Sequence, residues 1–135
     1  MKKNRNTCRY SLQALLFCLI AFLIVGCADS PSENKISSLL KDHFEKAGNY
    51  KITSLKVISI KENKLMGQFN KNIFGGGKAY LVEVEVSLEA LKDVSLNPLM
   101  SLYKKGQIIN SKGNFTVTKR EGSWVMEFIN FDKMI

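Results

Sequence analysis

The chain is expected to fold as an α+β domain, an N-terminal helix packed on a curved antiparallel sheet of about four strands. Three observations predict it. Ile36, Leu39, Leu40, His43, Phe44 and Ala47 recur at the three-and-four spacing of one helical face. Residues 78–89 alternate strictly, with Tyr80, Val82, Val84, Val86 and Leu88 between Leu81, Glu83, Glu85, Ser87 and Glu89. Arg120-Glu121-Gly122 separates two apolar runs as a hairpin turn does.

The first 26 residues do not belong to that domain. Lys2, Lys3, Arg5 and Arg9 precede any acidic residue, and 14–26 then runs without a charge. A basic stretch followed by an apolar core shorter than the roughly 20 residues of a spanning helix has the layout of an export signal. Ile24-Val25-Gly26-Cys27 closes it. These four residues resemble the lipobox of bacterial lipoproteins. The resemblance implies that the Cys27 thiol receives a diacylglyceryl group, that the Gly26-Cys27 bond is cut, and that acyl chains on Cys27 hold the mature protein to a membrane. The competing reading is an uncleaved anchor with an incidental cysteine. Ala28, not Asp, follows Cys27; the resemblance then leans to the outer membrane facing the periplasm in a Gram-negative cell, and otherwise to the outer face of the cytoplasmic membrane.

Processing changes the bulk properties. Of 20 basic residues four leave with the signal, so 16 against 12 acidic residues give the mature part +4 where the whole chain has +8. Cys8 and Cys18 also leave, and no disulfide or thiolate metal site is expected. Residues 27–32 read as a lipidated tether and 33–135 as a single domain. A nucleic-acid partner is not expected, because Lys104-Lys105 and Lys119-Arg120 are short, scattered pairs on an exported chain.

Ser30 reads as the helix N-cap, with Pro31 at the first helical position and Glu33 completing a capping box, and Gly48-Asn49 closes the helix. Residues 52–61, rich in Val57, Ile58 and Ile60, read as a strand with both faces covered or with a bulge. Residues 62–77 read as a loop that ends in Gly75-Gly76-Gly77. Residues 90–112 hold Leu91, Val94, Leu96, Leu99, Met100, Leu102 and Tyr103, and are expected to form a short helical turn or a strand extension packed on the sheet. Residues 114–119 and 123–129 make the closing hairpin. This order, over Glu33 to Phe131 and with a Gly122-Ser123-Trp124 strand entry, resembles small cystatin-like or nuclear-transport-factor-2-like lipoproteins, although extra helices usual in that family are not evident.

No catalytic group is expected. His43 is the lone histidine and reads as a packed side chain more readily than as a general base. Glu83, Glu85 and Glu89 share a strand face that could hold a cation, but solvent-facing alternation with basic cross-strand partners is the preferred reading. The glycines before Lys78 lack the GxxxxGK[ST] pattern and do not open a helix, so no phosphate cradle is expected. No metal or cofactor is expected. The function read from the chain is a non-catalytic envelope lipoprotein that engages another envelope protein through its sheet face or through a loop carrying Met66, Phe69 and Phe74; folding of these side chains back onto the core is an equal reading of the loop. The alternative is a small-ligand pocket between helix and sheet, lined by Phe44, Trp124 and Phe128.

Overall fold

Ser32 starts the first described helix by accepting a hydrogen bond from the Lys35 amide at 3.2 Å, and α1 runs Glu33–Glu45. The structure is a computed structural model that describes residues 30–133 and Ile135. The expected cap at Ser30 is thus displaced by two residues: Pro31 is buried ahead of the cap and Glu33 opens the helix. Gly26 and Cys27 lie outside the described residues.

Six strands and a second helix follow: β1 (Tyr50–Glu62), α2 (Lys64–Phe74), β2 (Ala79–Ala90), β3 (Val94–Asn97), β4 (Met100–Tyr103), β5 (Ile108–Arg120) and β6 (Ser123–Phe131). The main sheet is antiparallel in the order β1-β2-β5-β6, and β3-β4 is a separate two-stranded ribbon. The α+β class and the four-stranded antiparallel sheet are those expected from sequence, and Pro31–Ile135 form one compact unit.

Alternation along β2 puts Tyr80, Val82, Val84, Val86 and Leu88 on one face, where Ile36, Leu40 and Phe44 of α1 join them in the core. Burying each such side chain contributes about 1.5–3 kcal/mol. Phe44 meets Phe131 edge to face, with centroids 5.2 Å apart. Gly113 lies opposite Phe131 in the ladder, and a Cβ there would overlap the Phe131 ring. The missing side chain leaves room for the Phe131 ring that meets Phe44 of α1.

The opposite face is polar along most of its length and covered at one end. Thr116 and Thr118 point there, since Phe115 and Val117 face the core, yet both threonines are buried. The cover over Thr118 is α2. Residues 62–77, expected as a loop, thus contain a helix over Lys64–Phe74: the Asn63 side chain caps it by accepting from the Met66 amide at 3.1 Å, and Gly75 ends it in the left-handed region at φ 64°.

Residues 90–112 also resolve differently. Hydrogen bonds from Ala90 to Gln107 (3.0 Å) and from Gly106 to Ala90 (2.7 Å) pinch off a hairpin excursion, β3-β4, after which β5 begins at Ile108, six residues ahead of the expected strand start. The β5-β6 turn has positive φ at Glu121 and Gly122, as a two-residue hairpin of this hand requires.

Candidate interaction surface

The surface centred on α2 is built from a helix that buries few of its apolar side chains. Asn70 is its buried residue, and the Asn70 amide donates to the Gly77 carbonyl at 2.9 Å and the Lys119 carbonyl at 3.4 Å, while its oxygen accepts from Arg120 Nε at 2.9 Å. Arg120 Nη2 pairs with Glu127 at 2.7 Å, and Glu127 accepts from the Thr118 hydroxyl at 3.2 Å. The Arg120 guanidinium also stacks 3.8 Å from the Phe74 ring centroid. This network bolts α2 to the β5-β6 hairpin. Among the described residues no buried side-chain nitrogen or oxygen lacks a partner.

What the network leaves outside is apolar. Leu65 (76% exposed), Phe69, Ile73 and Phe74 of α2 face solvent, and Phe128 of β6 is 67% exposed beside them. Met66, Phe69, Phe74 and Phe128 share the lining of a cavity of about 120 Å³ with the Arg120–Glu127 pair. Phe128 sits at φ 52°, within the irregular stretch where β6 shifts register against β5. On the other side of α2, Lys64, Lys71 and Lys78 line an open hollow of about 450 Å³ together with Glu62, Gly76 and Gly77.

A second apolar surface lies on the β3-β4 hairpin. Leu99 at its turn is 98% exposed, and Leu96 and Met100 are exposed beside it. The hairpin base is fixed by Asp93, which accepts from the Lys105 amide at 2.9 Å, while Val94 and Tyr103 pack against the core. Burial, and secondarily the nearby Tyr103 phenol, push the Tyr50 hydroxyl above its ordinary range.

The remaining candidates are placed as follows. Met66, Phe69 and Phe74 are together, on a helix and not in a loop. Phe44, Trp124 and Phe128 are not: Phe44 is in the core, Trp124 packs edge to face on Tyr80 at 5.9 Å, and Phe128 is exposed at the edge of α2. His43 is exposed and not packed in the core; one ring contact with Phe44 (4.9 Å) accompanies a partial desolvation that lowers its affinity for a proton. Glu85 lies between Lys56 and Lys112 on the neighbouring strands. The Lys112 ammonium at 2.8 Å, through hydrogen bonding and charge, holds the Glu85 carboxyl below its ordinary range. Glu83 accepts from the Ser59 hydroxyl at 2.6 Å. Among the described residues no group of three or more His, Cys, Asp or Glu side chains could hold a metal ion.

Asp132 has the other resolved acid shift. The Ser111 hydroxyl at 2.6 Å, and then the Lys112 amide at 3.0 Å, favour its charged form. These bonds tie the end of β6 back to β5, which is a structural use of the carboxylate. Comparison with protein-family models, with curated proteins and with solved structures gave no match.

Proposed function

We propose that this protein is a membrane-anchored lipoprotein of the bacterial cell envelope, held by acyl chains on Cys27, whose folded domain binds a neighbouring envelope protein without catalysis. The observation that carries the binding reading is the distribution of apolar side chains. The space between α1 and the sheet is filled by Ile36, Leu40, Phe44 and Phe131, while Leu96, Leu99 and Met100 stay outside on a projecting hairpin. A ribbon with an exposed leucine at its turn suits insertion into an apolar groove of a partner. The sequence resemblance at Ile24-Val25-Gly26-Cys27 supports the anchor. Bulges in β1 between Ile52 and Ser54 and between Val57 and Ser59 favour the curvature of a cystatin-like or nuclear-transport-factor-2-like sheet.

The small-ligand alternative has weaker support, since its three aromatic residues are dispersed. The anchor is tested by growing cells with labelled palmitate. The native chain is expected to take up label and partition with membranes, and Cys27→Ser to lose the label. Equal labelling of both would contradict the lipoprotein reading.

A further inference from the structure

The apolar side chains of α2 are more than the fold uses, and the helix divides them from its charges. At about 100° per residue, Leu65, Phe69 and Ile73 fall within an arc of about 80°, while Lys64 and Lys71 lie about 20° apart on the far side. Met66 and Asn70 turn toward the sheet between Ile73 and Phe74, so the stripe belongs to one exposed flank that Phe128 extends. α2 has no acidic residue, and its Lys64 and Lys71 line the hollow on the basic side, which Glu62 and Lys78 border. A helix with aromatic and aliphatic side chains along one flank and ammonium groups along another matches a bilayer interface, where the first enter the acyl boundary and the second meet phosphates.

We propose that α2 is a second membrane contact: Leu65, Phe69, Ile73 and Phe128 enter the headgroup region of an anionic leaflet, and Lys64 and Lys71 pair with its phosphates. The proposal rests on the reading that Cys27 is lipidated, which brings the domain to that leaflet. From Cys27 to Ser32 the chain spans at most about 18 Å even when extended. No described helix is long and apolar enough to cross a membrane, so the contact lies in the plane of the surface. The charge pattern favours a lipid surface over a protein groove, because Lys64 and Lys71 accompany the apolar stripe in the first and last turns of a helix without acidic residues.

Hydrogen exchange of the α2 amides tests it in the full chain, reconstituted into phosphatidylglycerol vesicles, into phosphatidylcholine vesicles, and held in neutral detergent. Exchange across Leu65–Phe74 is expected to slow several-fold in phosphatidylglycerol relative to the other two. That slowing is expected to disappear in high salt, which screens the lysines, and in the Lys64→Glu/Lys71→Glu variant, whose surface positions leave the fold intact. Equal exchange in all three settings would overturn the proposal. So would slowing that appears only when an envelope protein fraction is added to phosphatidylcholine vesicles, which would make α2 a protein-binding helix. The mass of the Cys27 peptide, read on the same samples, separates the two claims. Acylated Cys27 with unslowed α2 overturns the contact alone, whereas unmodified Cys27 with slowed α2 overturns the lipoprotein reading and supports the contact.

Discussion

Arg120 joins three groups: the Asn70 amide oxygen and the Glu127 carboxylate, which need a donor, and the face of the Phe74 ring. Its side chain and that of Glu127 are each only about a quarter exposed, so removing the guanidinium leaves partners that water reaches poorly. Arg120→Ala is expected to lower unfolding stability by about 2–3 kcal/mol, the range for losing charge-assisted bonds with partners left unmade. Arg120→Lys is expected to restore only part of that, because an ammonium cannot serve Asn70 and Glu127 from one planar fork. Urea midpoints check both; a lysine variant as stable as the native chain would contradict the fork geometry. The His43 shift gives the pH slope its sign. Folding lowers the affinity of this imidazole for a proton, so its contribution to stability is present above the ordinary value of 6.5 and declines as pH falls below it. Asp132 and Glu85 act in the same direction at lower pH, each losing its contribution as the carboxylate is protonated.

Among the elements, α2 is the instructive one. Asn63→Ala removes the side chain that accepts from the Met66 amide and is expected to cost about 1 kcal/mol. The loss should be read by chemical denaturation together with faster exchange of the first-turn amides; faster exchange throughout β2 instead would place the role of Asn63 in the sheet. The helix was hidden in the sequence by Gly67, by Asn70 and Asn72, and by the three glycines that follow, all of which read as loop. Two signals for it were present: Leu65, Phe69 and Ile73 at spacing four, and Asn63 and Gly75 at the two cap positions. The β2 strand and the β5-β6 hairpin were legible because period-two alternation and a turn with Gly are local patterns. The early start of β5 was not, since Ile108–Gly113 pairs with β2 across a hairpin excursion and its own run of Asn110, Ser111, Lys112 and Gly113 is polar. Met66, Phe69 and Phe74 were found from sequence as an apolar group. Phe128 could not be joined to them without the irregular pairing that brings it beside α2.

At the scale of the molecule, the polar and apolar parts divide by use. One sheet face and α1 form the core; the other face carries the Glu85–Lys112 and Arg120–Glu127 ion pairs, and α2 closes its end. The most exposed apolar side chains cluster on α2 with Phe128 and on the β3-β4 hairpin, while Ile58, Leu91, Ile108 and Ile129 are exposed singly elsewhere; the first cluster is proposed to meet a lipid surface and the second a protein groove. Both assignments depend on where the chain is held, and that is the central claim. It is tested most directly by the intact mass of the protein extracted from the envelope of cells that express the full chain. A polypeptide beginning at Cys27 with a diacylglyceryl group on its thiol is expected. A chain beginning at Met1, or one beginning near residue 27 with a free thiol, would contradict it.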